Sequence, residues 1–393
     1  MSAQSESLLP HPPAAIPPDE RADTQAAIPP AEPPVRFWRR VLRGALPLTV
    51  VTTLYFTFIV YPPLRILGLS FPDWQPGTPE LLLIMVGPLA IRIAAEWING
   101  QVARVLSAVV MTWLGICFMA FGIVAAWEIA NLLFALPAQA SGWSLGAVVG
   151  TLAVYGCINA HRLTVRDVHV PTAAGAPQSA RGTRFIQISD VHVGSRSGRF
   201  LRRVVERINR LEADHVLITG DLIDFANIPE QELASLGTLK LPTYFIIGNH
   251  ERYVDVDAIC ERLTNLGVRV LRNESLEFGP FQLVGIDDAE PKTQVGRMLP
   301  YLPALPDRYR ILLYHRPDGA RDAADWGAHL MLCGHTHNGQ IVPFNYIVRR
   351  VFPRICGLYR IDDLHLYVSQ GTGTWGPILR IGSRCEIGII HLQ

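Results

Sequence analysis

The chain has 393 residues, of which 49% are hydrophobic and 18% are charged. Its length suggests about two or three folded units rather than one ordinary domain. The net charge of +1 excludes the strongly basic composition of nucleic-acid-binding domains, so we expect no nucleic-acid partner. The apolar residues are unevenly spread, which indicates a membrane part fused to a soluble part.

Residues 1–35 form a proline-rich, low-complexity tail. Such a segment cannot bury enough apolar surface to offset the entropy lost on ordering, so we expect it to be disordered. No apolar core follows the first methionine closely, so the tail is not a signal peptide.

A membrane domain is predicted at residues 36–161, with about four spans. Four apolar stretches each approach the ~20 residues needed to cross a bilayer. They are Val41–Tyr61, Leu81–Ile98, Val105–Trp127 and Trp143–Asn159. The second carries Arg92 and Glu96, which lie on one face of a helix at a spacing that permits pairing. For this stretch a buried amphipathic or re-entrant helix is the alternative.

The distribution of basic residues predicts the orientation. The segment 128–142 has no Lys or Arg, and the loop after the first span has only Arg65. Arginines instead precede the first span, open the third and follow the fourth. By the positive-inside rule both termini are cytoplasmic, and an even number of spans keeps the C-terminal domain on that side. We therefore expect a multi-pass protein of the inner (cytoplasmic) membrane. The basic residues are Arg36, Arg39, Arg40, Arg43, Arg104, Arg162 and Arg166.

Residues 162–182 are predicted to be a linker, because Pro171, Gly175, Pro177 and Gly182 interrupt any regular pattern. From residue 183 to 393 short apolar runs alternate with helical patterns. The first half resembles β-α-β units and the second half is rich in strands. We expect an α/β sandwich of two mixed β-sheets flanked by helices. Predicted strands are Phe185–Ser189, His215–Thr219, Thr243–Ile247, Ile311–Tyr314 and Leu330–Cys333, with Leu364–Ser369 and Glu386–Leu392 as antiparallel strands; predicted helices are Phe200–Leu211 and Val256–Leu266.

Polar residues follow five of these strands where each strand ends. Because ligand sites in open α/β sheets form beyond the carboxyl ends of strands, one crevice should collect them. Carboxylate, imidazole and amide groups without thiolate suit Mn, Fe, Zn or Mg. Their number exceeds the ligand set of one ion, which favours a pair about 3.5–4 Å apart that clamps a phosphate and converts a bridging water to hydroxide. The residues are Asp190, His192, Asp221, Asp224, Asn249, His250, His315, His335 and His337.

The order and spacing of these motifs resemble the calcineurin-like metallophosphoesterases. The motifs are Asp190-x-His192, Gly220-Asp221-x-x-Asp224, Gly248-Asn249-His250-Glu251, His315 and Gly334-His335-Thr336-His337. The closer resemblance is to a branch with transmembrane helices ahead of the catalytic domain, and it covers about residues 183–393. Tyr314 before His315 and Asn338 after His337 depart from the branch pattern, but neither removes a ligand.

The resemblance implies a role for each position. Asp190, His192 and His337 would hold one metal ion, and Asn249, His315 and His335 the other, with Asp221 bridging both. His250 would be the catalytic acid that protonates the leaving oxygen or steadies the phosphate charge. Asp224 would orient a ligand histidine.

The implied reaction is hydrolysis of a phosphoric ester, either a phosphodiester or a pyrophosphate. A lipid-linked substrate is one expectation, because tethering raises the local concentration of lipid-borne phosphates. A non-catalytic membrane scaffold or sensor is the alternative, and it would be expected to have lost ligands. The segment Phe344–Phe352 mixes apolar and basic residues near the last motif. It either rests on the bilayer or packs in the core, and the sequence leaves both interpretations open.

Overall fold

The computed structural model describes residues 49–98, 100–172, 177–225 and 228–393. The predicted disordered tail, 1–35, lies outside the described residues, as does the start of the first predicted span. The side chain of Glu96 is also outside the described part, so its predicted pairing with Arg92 stays a prediction.

Four helices are long and apolar enough to cross a membrane, which agrees with the predicted number of spans. The third is longer than predicted: at 34 residues it extends about 50 Å, well beyond the ~30 Å hydrocarbon core. Most of the segment 128–142 is therefore helical, and only residues 135–137 connect the last two helices. The helices are α1 (Thr49–Ser70), α2 (Thr78–Trp97), α3 (Gln101–Phe134) and α4 (Ala138–Asn159).

Helix α1 runs past Tyr61, where the first span was predicted to end. A π-helical turn, Phe56–Val60, directly precedes Pro62 and Pro63. This wider turn accommodates the proline rings, which would otherwise clash with carbonyls one turn earlier. Arg65 was predicted in a loop but lies inside α1, where its Nε is 2.6 Å from Glu128 Oε1 of α3. Charged residues within the four helices are therefore not confined to α2.

The C-terminal half contains two six-stranded mixed sheets, which confirms the predicted sandwich. The first sheet has the order β1-β12-β2-β3-β4-β5, and β2 to β5 are parallel. The second has the order β10-β11-β9-β8-β7-β6, with β7, β8, β9 and β11 parallel. The strands are β1 (Leu163–Val170), β2 (Arg184–Ile188), β3 (His215–Ile218), β4 (Thr243–Phe245), β5 (Val268–Val270), β6 (Glu274–Phe278), β7 (Phe281–Ile286), β8 (Tyr309–Tyr314), β9 (Leu330–Cys333), β10 (Gly357–Ile361), β11 (Leu364–Val368) and β12 (Cys385–Leu392).

Alternate residues of the strands build the layers. Leu217 and Ile246 from the first sheet face Leu283 and Ile311 from the second in a buried core between the sheets. Helices cover the outer faces. They are α5 (Gly198–Ile208), α6 (Glu230–Leu233), α7 (Val256–Asn265), α8 (Gln294–Met298) and α9 (Ala320–Trp326). A further helix, α10 (Phe344–Val351), has no buried residue and belongs to neither of these cores.

The linker predicted at 162–182 is wrong for β1, which pairs in parallel with β12. The strand lies at the sheet edge and only its end is buried, so it lacks a continuous apolar run. The two strands predicted near the C-terminus do not pair with each other. Each belongs to a different sheet and has both a parallel and an antiparallel neighbour.

Residues Thr52–Gln393 form one compact unit, in which loops of the sandwich pack on α3 and α4. The backbone N–H of Arg380 donates to the Gly156 carbonyl at 3.0 Å. Asn159 Nδ2 donates to the carbonyls of Arg380 and Ser383 at 3.0 and 2.9 Å. The N–H of Ile378 donates to Thr112 Oγ1 at 3.1 Å. Hydrogen bonds therefore fix the segment after β11 to the membrane helices.

Candidate metal centre

The structure brings the predicted ligands together from both sheets. Asp190 and His192 follow β2, Asp221 follows β3, and Asn249 follows β4. The remaining ligands follow strands of the second sheet: His315 comes directly after β8, and His335 and His337 come after β9. The carboxyl ends of these parallel strands meet at one edge of the sandwich, as the sequence predicts.

Asp190, His192 and His337 form a first group of converging donor atoms. His192 Nε2 lies 3.0 Å from His337 Nε2, and His337 Nε2 lies 3.4 Å from Asp190 Oδ1. Asp190 and His192 are fully buried, and His337 is 6% exposed. Buried donors this close suit one shared cation, since donor groups removed from water need a partner.

Asp221, His315 and His335 form a second group. His315 Nε2 lies 3.0 Å from Asp221 Oδ2 and 3.3 Å from His335 Nδ1. Asp221 also converges with His192 and His250, so its carboxylate reaches toward both groups. The Oδ1 of Asn249 is buried and accepts no hydrogen bond from any group in the described part of the chain. An orphaned buried amide oxygen that lines the same cavity as Asp221 fits a hard divalent cation.

Five of the predicted ligands have an unusual backbone conformation. Asp190, His192, Asp221, His335 and His337 all have positive φ, between 50° and 73°. For residues other than glycine this conformation costs of order 1–3 kcal/mol each and persists mainly at functional sites. These turns therefore lower local stability, and they direct the five side chains toward one point.

Electrostatics favour positive charge at this point. Burial alone would lower the pKa of His315, but Asp221 and Asp190 outweigh burial and raise it to about 10. The pKa of His335 falls to about 3 because the ring is buried and lies beside His315. The carboxylates thus attract a cation, and a bound metal ion would displace the His315 proton.

Asp224 holds two histidines. Its Oδ1 lies 2.6 Å from His192 Nδ1 and 2.8 Å from His250 Nδ1. Burial alone would raise the pKa of Asp224, but His192 and then His250 outweigh burial and lower it. The ionised carboxylate therefore accepts a hydrogen bond from the Nδ1–H of each ring, which leaves both Nε2 atoms directed into the centre.

The motif-based prediction assigned no role to Glu251, although this residue stands in the Gly248–Glu251 motif. Its buried carboxylate accepts hydrogen bonds from the backbone N–H groups of Asp221, Leu222, Ile223 and Gly248 at 2.7–3.0 Å. Burial and the charge of Asp221 raise its pKa to about 7. Glu251 fixes the loops that carry Asp221 and Asn249, and its position beside Asn249-His250 was the only available signal.

Arg380 was not predicted as part of the site either. It is fully buried, and its Nη2 lies 3.2 Å from His337 Nδ1 and donates to the Gly373 and Gln370 carbonyls at 2.7 and 2.8 Å. Its sequence neighbours are apolar, so no local pattern marks it. The membrane-facing segment that carries Arg380 therefore also positions a predicted ligand.

Two cavities meet at the centre. One, of about 590 Å³, opens over His192, Asp221, Asn249, His335 and His337. The other, of about 670 Å³, extends from Asp224 to the C-terminal end of α2 and the N-terminal half of α3. His250, Trp375 and Pro377 line both.

The sequence of this chain is similar to sequences of known proteins. A family model described as calcineurin-like phosphoesterase matches residues 183–339. A transmembrane protein with metallophosphoesterase domain from Danio rerio is 37% identical over 273 residues, which cover 63% of this chain and 61% of that protein. An uncharacterized metallophosphoesterase from Aquifex aeolicus is 31% identical over 223 residues, covering 53% of this chain and 85% of that protein. The chain thus spans less than two thirds of the Danio rerio relative but most of the Aquifex aeolicus one.

Proposed function

Because this chain belongs to the calcineurin-like phosphoesterase family, we propose that it is a membrane-anchored hydrolase of phosphoric esters that uses two divalent metal ions. Asp190, His192 and His337 hold one ion. Asn249, His315 and His335 hold the other, and Asp221 is shared. The observation that carries this proposal is the position of Asp221, whose carboxylate converges with donors of both groups. Mn, Fe, Zn and Mg all suit this donor set.

The bound ions would supply Lewis acidity, which polarises the phosphoryl group and makes water a stronger nucleophile. The protein contributes position and a proton. Asp224 holds His250 through Nδ1, and His250 Nε2 lies 3.9 Å from Asp221 Oδ2 at the junction of the cavities. In the reaction, water adds to phosphorus and loses one proton to the solvent, the bond to the leaving oxygen breaks, and His250 gives that oxygen a proton.

A phosphodiester or pyrophosphate suits the site better than a phosphorylated protein. Both cavities have walls from the membrane helices, with Leu114 and Phe118 of α3 in one and Ala108 and Met111 of α3 in the other. A folded protein surface would have to displace these helices to bring its phosphate to the metals. A small or chain-like ester needs no such displacement.

Turnover by the full chain tests this proposal. We expect the purified protein to contain two metal ions, to lose hydrolysis after chelation and to regain it with Mn²⁺, with a diester preferred over a monoester. Metal analysis and rates on both esters are the measurements. One ion or none in active protein, or turnover that survives chelation, would contradict the proposal. The whole chain is required, because a fragment from residue 183 would lack β1 and the Gly156 carbonyl that anchors Arg380.

We also propose that both termini lie on the cytoplasmic side of the inner membrane. The C-terminal end of α2 and the N-terminal half of α3 line the same cavity as Asp224, and the C-terminal end of α4 contacts Arg380. These ends therefore share one side, as four antiparallel spans require. A fluorescent-protein fusion at Gln393 should fluoresce, and an alkaline phosphatase fusion there should be inactive. Fusions after Pro137, between α3 and α4, serve as the control and should behave oppositely. Phosphatase activity at Gln393 would reverse the assignment.

A further inference from the structure

Part of the wall around the metal centre packs against the middle of a candidate membrane span. Helix α4 has 22 residues and extends about 33 Å, only slightly more than the hydrocarbon core. Ile341 and Leu379 from the sandwich pack in one cluster with Val149 and Leu152 of α4. These α4 residues lie about 10–15 Å along the helix from its end at Asn159. A bilayer that covered the whole of α4 would therefore also cover this part of the sandwich.

The cavity over the metal centre is apolar where it meets these helices. The predicted metal ligands line one side of this cavity. Hydrocarbon side chains from three helices and one loop line the other side. The ring of Phe352 lies 5.1 Å from the ring of His335, so the apolar wall begins directly beside a ligand. The wall residues are Ile59 of α1, Leu114 and Phe118 of α3, Phe344 and Val348 of α10, and Phe352.

Helix α10 continues this apolar surface toward lipid. Phe344 packs edge-on against Phe118 of α3, with ring centroids 5.8 Å apart. Tyr346, Ile347 and Val351 on the same helix are 54–63% exposed, and Arg349 and Arg350 lie in its last turn. Exposed apolar residues with arginines beside a membrane helix are typical of a helix lying in the membrane interface. Of the two interpretations of Phe344–Phe352, this favours contact with the bilayer.

We propose that the substrate is an amphiphile drawn from the bilayer, with its phosphoester at the metals and its hydrocarbon chain in the cavity between α1, α3 and α10. This inference rests on the proposed function. A water-soluble ester would have to place a hydrated body against apolar walls and lose its hydrogen bonds to water. A hydrocarbon chain exchanges one apolar environment for another and keeps the phosphate at the interface.

The second cavity also has apolar walls from α2 and α3, but it presents more polar surface than the first and therefore suits the polar part of such an ester. Ser195, Asp224 and Tyr253 line it, and it meets the apolar cavity at His250 and Trp375. The phosphorus would thus lie between a chain on one side and a polar leaving group on the other. That arrangement puts His250 next to the leaving oxygen, where the proposed reaction needs a proton.

A matched pair of esters tests this inference in detergent micelles that contain no phosphate. Hexadecyl 4-nitrophenyl phosphate and ethyl 4-nitrophenyl phosphate share the leaving group and differ only in chain length. We expect kcat/KM of the full chain to be about tenfold or more higher for the hexadecyl ester. Equal values with turnover of both would overturn the amphiphile proposal and leave the hydrolase proposal intact. No turnover of either by metal-loaded protein would overturn the hydrolase proposal itself.

Variants of the cavity wall test where the hydrocarbon chain of the ester binds. Leu114→Trp fills the cavity and should lower kcat/KM on the hexadecyl ester by about tenfold while the ethyl ester changes little. Val109→Trp is the matched control, because Val109 lies on α3 with 62% of its surface exposed. Metal content reports whether Leu114→Trp folds. If it does not, Ile59→Trp fills the same cavity from α1 and should lower kcat/KM on the hexadecyl ester in the same way. Equal losses on both esters in each folded variant would contradict the assignment.

Labelling provides a measurement independent of turnover. Hexadecyl phosphate with a diazirine at the chain end should cross-link to α1, α3 or α10 near Ile59, Leu114 and Val348. Unlabelled hexadecyl phosphate should compete, and Leu114→Trp should remove the cross-link. Labelling confined to lipid-facing positions such as Leu132 and Leu133, without competition, would overturn the inference.

Discussion

Asp221→Asn should abolish hydrolysis and leave the chain with fewer than two bound metal ions. Asp221 Oδ2 lies 3.0 Å from His315 Nε2, and the same carboxylate converges with His192. A shared carboxylate supplies the negative charge that holds two cations close together, and an amide cannot replace it. Loss of an outer partner of a metal site typically costs about 10–100-fold in metal affinity or activity, so loss of a shared ligand should exceed that range.

Metal content and kcat/KM should be measured on the same preparations of wild type and variant. Asp322→Asn, an exposed carboxylate of α9, is the control and should keep both values. An Asp221→Asn protein that retains two ions and wild-type turnover would remove Asp221 from the centre. A variant that keeps two ions but loses turnover would give the carboxylate a role in the reaction rather than in metal binding.

His250→Ala should keep near-normal metal content and lose about 10²–10⁴-fold in rate on an alkyl diester. Asp224 holds Nδ1 of this ring at 2.8 Å, so Nε2 faces the junction of the cavities. An alkoxide is a poor leaving group and needs a proton as the bond breaks. Nitrophenolate leaves without one, so the nitrophenyl diester should lose much less.

Rates on both esters and metal content of the same sample separate three roles for His250. Equal losses on the two esters would make it a phosphate-binding group. Loss of metal together with rate would make it a ligand. Tyr301→Ala is the control for loss of an exposed aromatic side chain, since Tyr301 is 79% exposed and lines neither cavity. It should affect both esters equally and weakly.

The convergence of these side chains could be predicted because each predicted ligand follows an apolar strand within a few residues. Asp190 follows Ile188 and His315 follows Tyr314, so strand prediction alone aligns them at one edge of the sandwich. The strand β1 could not be predicted in the same way. Leu163 pairs with Cys385, far away along the chain, and an edge strand of mixed polarity gives no local signal.

Charged residues were the other source of error. Arg65 was expected in a loop after the first span, yet it lies within α1 and pairs with Glu128 of α3. Arg380 stands among apolar residues, and only the folded chain brings it to His337. Such pairings depend on which helices and loops become neighbours, and spacing along the sequence does not contain that information.

The segment that carries Arg380 makes the membrane half more than a tether. Gly156 of α4 accepts from the Arg380 backbone, and the guanidinium of the same residue touches His337. A Cβ at Gly156 would come within 2.6 Å of Leu379 Cδ1, the residue before Arg380. A methyl group at Gly156 would therefore displace the Leu379 side chain, next to the residue whose guanidinium contacts His337. The sequence of α4 is thus constrained by the loop that reaches the metal centre, and the two halves share this contact.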